Sequence, residues 1–224
     1  MIYTPQQLKT TLAEKNIHGL ALDIDDTLAG TTKLWMKLFQ EKFGNPENLT
    51  PIEMYEKYRY TDSVPYWEVK PGFYELAAEL AESDTFQENV PLIANANHIV
   101  EKVSTIIPIV AYLTARTAST FNSTSKWLKK HGFPDEPVVT RTEDHHVKDR
   151  NRWKAKVLEE LYPWVLGIVD DNAGLLQELS PQYQGTIYLY DHKHVPETAP
   201  AKLKVFACRD WQHVYETIQK HPPR

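Results

Sequence analysis

One cysteine, Cys208, stands in a chain of 224 residues, so no internal disulfide can form. A reducing, cytoplasmic setting is the expectation. No run approaches the roughly 18 consecutive apolar residues that a membrane-spanning helix needs, which excludes such a span as the reading of any segment. The opening residues, Met1-Ile2-Tyr3-Thr4-Pro5-Gln6-Gln7, have neither a basic nor an apolar stretch of the kind a secretory signal carries. Thr4-Pro5 reads instead as a helix N-cap followed by the first helical residue. The G-x-x-x-x-G-K-[ST] phosphate loop is missing, which removes support for P-loop ATP chemistry. An excess of basic charge is missing too. With 25 Lys and Arg against 30 Asp and Glu, the net charge of −5 argues against a nucleic-acid polymer as partner.

What remains is an ordinary globular composition, 42% hydrophobic and 25% charged, long enough for one large domain or for a core that carries an insert. Five short apolar runs are separated by helical patterns. They are Gly19 to Ile24, Ile106 to Leu113, Pro137 to Thr140, Val165 to Val169 and Gly185 to Tyr190. Fully apolar strands alternating with helices predict an α/β fold, a Rossmann-like parallel sheet covered on both faces. Helical spacing is predicted over 119–130, with Gly132 at the C′ position, over 151–161 and over 173–179.

The first two strands lie about 80 residues apart, too far for one simple crossover. Residues 33–94 carry their own helical patterns and many aromatics, including Trp35, Phe39, Phe43, Tyr55, Tyr58, Tyr60, Tyr66, Trp67 and Phe73. They read as an inserted helical cap, with residues 1–32 and 95–224 forming the α/β core. Most of these aromatics are expected to fill the small core of the insert.

Asp23-Ile24-Asp25-Asp26-Thr27 places three carboxylates at the end of a strand that should face a core. Burying unpaired charge is costly, so a cation is expected beside them, and Mg²⁺ prefers carboxylate oxygens. In open α/β sheets ligands bind beyond the carboxyl ends of the strands. The second strand ends in Thr114-Ala115-Arg116 and the fourth in Asp170-Asp171-Asn172, so polar groups converge on one crevice. Lys148, Arg150, Arg152, Lys154 and Lys156 crowd the start of the next-to-last long helix. Cations there oppose the helix dipole by about 0.3–1 kcal/mol each, so something anionic should compensate at least one of them. Lys154 follows a core-facing Trp153 and lies at the inner margin.

These four clusters together resemble the haloacid dehalogenase superfamily, in its phosphatase form with a helical cap. Asp23, Asp25 and Thr27 match its D-x-D-x-T motif, Thr114 the second motif, Lys154 the third and Asp170-Asp171 the fourth. Leu113 to Arg116, Thr124 to Leu128 and His131 to Pro134 are similar, over a short stretch, to the deoxyribonucleotidase-like branch. The resemblance implies a Mg²⁺-dependent phosphomonoester hydrolase working through an aspartyl-phosphate. Its substrate would be a small phosphorylated metabolite, a nucleoside monophosphate among the options. Asp23 would be the nucleophile, Asp25 a proton shuttle held protonated near neutral pH, and Thr114 and Lys154 phosphoryl ligands. The metal would be held by Asp23, the Asp25 carbonyl and an acid of the fourth motif, Asp171 before Asp170. Thr27 would support the turn, with Asp26 facing solvent or capping it. Lys148 competes with Lys154 for the third motif. Asn172 either supports the metal or caps a helix, Arg116 contacts substrate or sits on the surface, and Gly30 is a hinge or a turn. His192, His194 and the tandem His145-His146 read as exposed loop. A phosphomutase or phosphotransferase, or a non-catalytic phospholigand-binding protein, remains open, as does the oligomeric state.

Overall fold

Six strands, β1 (Gly19–Leu22), β2 (Ile109–Thr117), β3 (Val138–Arg141), β4 (Val165–Asp170), β5 (Thr186–Tyr190) and β6 (Lys204–Cys208), pair in parallel in the order β3-β2-β1-β4-β5-β6. The structure is a computed structural model and describes residues 1–141 and 149–224. The strand order reverses at β1, so the β1–β4 junction is the switch point at which an open sheet forms its crevice.

Residues alternate between the two faces along each strand. Leu20, Leu22, Tyr112, Val169 and Tyr188 pack with Ile99, Val100 and Val103 of α6 (Ala96–Ser104), Trp127 and Leu128 of α7 (Phe121–Lys130), and Trp211, Val214 and Ile218 of α10 (Trp211–Lys220). Ala21, Val110, Leu113, Ile168, Ile187 and Leu189 pack with Leu8 and Leu12 of α1 (Pro5–Lys15), Trp153, Val157, Leu158 and Leu161 of α8 (Arg150–Leu161), and Leu175 and Leu176 of α9 (Leu175–Glu178). Burial on both faces explains the continuous apolar runs in the sequence. The Thr4 cap forms as read, closed by the Gln7 side chain into a reciprocal capping box, and Gly132 takes φ +76° after α7.

Three details depart from the sequence reading. β2 begins only at Ile109, after Pro108, and runs on to Thr117, one residue past the Thr114-Ala115-Arg116 end read from the sequence. The pairing with β3 slips between Thr114 and Thr117, which is how a polar segment is accommodated there. β6 has no counterpart among the five expected strands. It is an edge strand, partly exposed over Lys204–Ala207, and it went unread although Val205 to Cys208 form a short apolar run.

Between β1 and β2 lie α2 (Thr31–Phe43), α3 (Pro51–Tyr58), α4 (Phe73–Ala81) and α5 (Asp84–Asn89). Met36, Phe39, Met54, Val64, Trp67 and Phe73 form a cluster of their own. Phe39 sits at its centre, edge-on to Trp35, Phe43, Trp67 and Phe73 at 5.2–5.8 Å. The aromatics thus serve chiefly to give a small helical unit enough area to bury. α5 turns back to the sheet, where Phe86 joins the α6–α7–α10 face. The chain leaves and returns side by side. The Gly30 amide donates to the Pro91 carbonyl at 2.8 Å, the Ile93 amide donates to the Leu28 carbonyl at 2.9 Å, and Ala29 bridges Leu92 antiparallel.

Candidate active site

β1 delivers Asp23 to the crevice, its amide donating to the Val169 carbonyl of β4 at 2.9 Å. The chain then folds back on itself, with the Leu28 and Ala29 amides both donating to the Ile24 carbonyl at 2.9 Å. Thr27 ties this turn down from two sides. Its hydroxyl accepts from the Asp171 amide at 3.1 Å, and its carbonyl accepts from the Trp211 indole at 2.8 Å. Asp26, at φ +58°, accepts from the Thr32 amide at 2.9 Å and from the Thr32 hydroxyl, so it caps the start of α2.

Asp23, Asp170 and Asp171 are all buried, and one carboxylate oxygen from each lies within 4.8 Å of the others. Lys154, from the second turn of α8, is buried between two of them. Its Nζ stands 2.8 Å from Asp23 Oδ1 and 2.6 Å from Asp170 Oδ2. Trp153 beside it is in the core. Asp170 Oδ1 accepts from the Asn172 amide at 2.8 Å. Asn172 turns its own Oδ1 to the Gly174 amide at 2.9 Å, so it organises the turn into α9. Arg152 points away to Glu178 at 3.2 Å. Lys148 and the His145-His146 pair lie outside the described residues.

Lys154, with Arg59 at 3.2 Å from Asp171, leaves the three buried acids short of positive charge. Burial, and after it the negative charge of Asp170 and Asp25, push the Asp23 carboxyl up to about 7 in spite of Lys154. Burial, Asp26 and Asp170 hold Asp171 well above the usual carboxylate range. Burial opposes the charge on Lys154 as well, but Asp170 and Asp23 more than restore it and raise its pKa. An all-oxygen donor set with a deficit of positive charge fits a hard divalent cation such as Mg²⁺.

Asp25 stands apart from this trio. Arg116 Nε contacts both Asp25 oxygens at 3.1 Å, Nη2 contacts Oδ1 at 2.7 Å, and the Thr31 hydroxyl donates to Oδ1 at 2.6 Å. Burial alone would raise this carboxyl, but the Arg116 charge and hydrogen bonds, with Thr31, hold it below its ordinary value. This corrects the expectation of a protonated Asp25. It also corrects the surface alternative for Arg116, which is buried and spends Nη1 on the Thr124 hydroxyl at 3.1 Å. Thr114 is fully buried and accepts from the Arg116 amide at 3.2 Å, so it braces the segment that carries that arginine.

His192 is also not the exposed loop residue expected. It is half-buried, with Nε2 2.9 Å from the Asp171 carbonyl, and burial lowers its pKa, whereas His194 is exposed. The least legible residue is Arg59, just past α3. Its Nη2 reaches Asp171 Oδ2 at 3.2 Å and its Nη1 reaches Asp191 Oδ2 at 2.5 Å, with the Tyr55 hydroxyl donating to the same Asp191 oxygen at 2.9 Å. An arginine among the ordinary charges of a helix end gives no local signal. Only its positive φ, invisible in sequence, sets it apart.

No family model and no curated protein matches the sequence. Among solved structures, a dehalogenase crystallised as an intermediate complex superposes with a TM-score of 0.52 at 13% identity, over 89% of this chain and 96% of that one. A protein from Thermotoga maritima, provisionally assigned as a beta-phosphoglucomutase, superposes at 0.57 with 16% identity, over 92% of this chain and all of the other. With its parallel sheet and the helices inserted after β1, the chain has the haloacid dehalogenase-like fold.

Proposed function

We propose that the protein is a phosphomonoester hydrolase of the haloacid dehalogenase type, with Asp23 as nucleophile. The observation that carries this reading is Lys154 held between Asp23 and Asp170, with Asp171 completing the acidic trio. A buried carboxylate so placed is positioned and charge-compensated, and positioning and compensation are what phosphoryl transfer asks of a protein.

Asp23, Asp170 and Asp171 would hold Mg²⁺, which when bound supplies positive charge to phosphoryl oxygens. Lys154 neutralises Asp23 and the incoming phosphate. An Asp23 oxygen forms a bond to phosphorus as the ester oxygen leaves, giving an aspartyl-phosphate. Asp25 moves the protons. Ionised beside Arg116, it is set to take a proton from the water that cleaves the acyl phosphate. To protonate the leaving oxygen in the first step Asp25 must enter that step as the acid, with Arg116 relaxing its two-pronged hold; the proton later taken from water restores that form. Arg116 thus acts through Asp25 as a positioning residue. Thr114 acts in turn through the Arg116 backbone, and the two chain passes at Gly30 and Pro91 are where the insert can move against the core. The substrate is a small phosphorylated metabolite, and the buried free thiol of Cys208 accords with a cytoplasmic setting.

The test is phosphate release from a panel of nucleoside monophosphates, sugar phosphates and phosphorylated small acids. Mg²⁺-dependent release from at least one ester, silenced by EDTA and restored by Mg²⁺, is expected. Full activity in chelator would remove the metal from the reading, and silence across the panel would favour a phospholigand-binding role.

A further inference from the structure

Arg59 borders the acidic crevice, and two further cations, Lys33 and Arg150, lie against aromatic rings beside it; among the described residues only Arg59 of the three has a carboxylate partner. Arg59 is paired with Asp171 and Asp191. Its Cζ lies 4.6 Å from the centre of the Tyr55 ring, and Lys33 Nζ lies 4.8 Å from the same ring. Arg150, at the start of α8, places its Cζ 5.3 Å from the Tyr60 ring. Among the described residues neither Lys33 nor Arg150 has an ion pair. Cation–aromatic contacts hold such groups in place without neutralising them.

The backbone gives an independent sign that Arg59 is placed for a purpose. It has φ +63° and ψ −44°, and the Tyr60 amide donates across it to the Tyr58 carbonyl at 2.7 Å. This is the γ-turn of positive φ, a rare and strained conformation, here at an arginine and not at a glycine. Strain of this kind persists where surrounding contacts over-determine it. Here those contacts are the Asp191 and Asp171 carboxylates and the Tyr55 ring. The turn delivers a guanidinium fork to within hydrogen-bond reach of an acid of the catalytic trio. Nη2 stands 3.2 Å from Asp171 Oδ2 while Nη1 is anchored on Asp191, so the fork borders the crevice where a substrate anion can share it. Guanidinium forks bind oxyanions better than they bind any neutral group.

The same contacts weigh against a nucleobase as the remote part of the substrate. The Tyr55 ring already carries Arg59 and Lys33, and the Tyr60 ring carries Arg150. On the reading that Asp23 attacks a phosphoester, we propose that Arg59, Arg150 and Lys33 form a subsite for a second anionic group on the substrate. The preferred substrate is then a compact phosphomonoester bearing a carboxylate or a second phosphate.

Binding of inert phosphonates to the Mg²⁺-supplemented protein, followed by calorimetry, tests this without turnover. Phosphonoacetate carries a second anion as carboxylate, ethylenediphosphonate carries it as phosphonate, and n-propylphosphonate lacks it. At least one of the first two should bind about tenfold or more tightly than n-propylphosphonate, the lower end of what a charge-assisted hydrogen bond supplies. R59Q should bring that ratio below about threefold, and R150Q, which leaves the Arg59 turn intact, should lower it in the same direction. Equal binding of all three phosphonates by the wild type, or an undiminished ratio in both folded variants, would overturn the subsite. Phosphate release from neutral esters without any such preference would leave the hydrolase reading standing and the subsite refuted. The preference without any phosphate release would do the reverse.

Discussion

Asp25 is held by Arg116, and the proton transfer proposed for it needs a carboxyl that can change state. The pairing has a stability signature. Asp25 is held below the roughly 3.9 of an unfolded aspartate. Its contribution is therefore fully present above about pH 4 and is lost as pH falls through the lower folded value. Arg116→Gln should cost about 2 kcal/mol at neutral pH, since Arg116 is buried while Asp25 keeps some solvent contact. In urea titrations the gap between wild type and variant should narrow below about pH 4. A constant gap would show that Arg116 matters through packing alone. Asp23→Asn should behave in the opposite way. It removes one of three crowded acids and leaves Lys154 paired with Asp170. Stability should be unchanged, or higher by up to about 2 kcal/mol at pH 8, while phosphate release falls by at least about 10³-fold. Retained activity would remove Asp23 from the nucleophile's role.

At the scale of elements, close contact between β4 and β5 depends on Gly167. A Cβ added there would meet the Thr186 carbonyl oxygen at 2.0 Å, a backbone atom that cannot swing aside. Gly167→Ala should therefore destabilise by about 3 kcal/mol in denaturant titration; a neutral effect would contradict the tight pairing. Such contacts were not legible in the sequence, whereas the strands themselves were. β1, β4 and β5 sit where their apolar runs are because both faces are buried. β6 went unread although Val205 to Cys208 are apolar, since a run that short, following the exposed Lys204 of an edge strand, does not stand out. The acidic trio was legible because charges at the ends of apolar strands have no packing explanation, and Lys154 because it follows the core-facing Trp153 at a helix start crowded with cations. Arg116, His192 and Arg59 were misjudged or unseen. Each acts through a partner distant in sequence (Asp25, the Asp171 carbonyl, and Asp171 with Asp191), and no local pattern encodes such a meeting.

At the scale of the molecule, the candidate site sits where the strand order of the described sheet reverses, under a helical insert joined to the sheet by two adjacent chain passes. Buried carboxylates in and beside the trio make the metal-free protein pH-sensitive. Asp23 and Asp26 are raised to about 7 and about 6, mainly by burial, against roughly 3.9 when unfolded. The folded state therefore holds more protons between about pH 4 and 7, and stability falls as pH rises through that window. Melting of the EDTA-treated protein should occur at a higher temperature at pH 5.5 than at pH 8. Mg²⁺ should raise the melting temperature more at pH 8, where it meets ionised acids. Equal increments at both pH values would argue that the trio does not hold the cation.

The most direct test of the central claim is to catch the phosphoryl group on the protein. Acid quenching during turnover, reduction by borohydride and peptide mass spectrometry convert an aspartyl-phosphate to homoserine at the residue that carried it. Homoserine at position 23, absent in Asp23→Asn, is the predicted result. Steady phosphate release with Asp23 unmodified, or homoserine at position 25, 170 or 171, would contradict it.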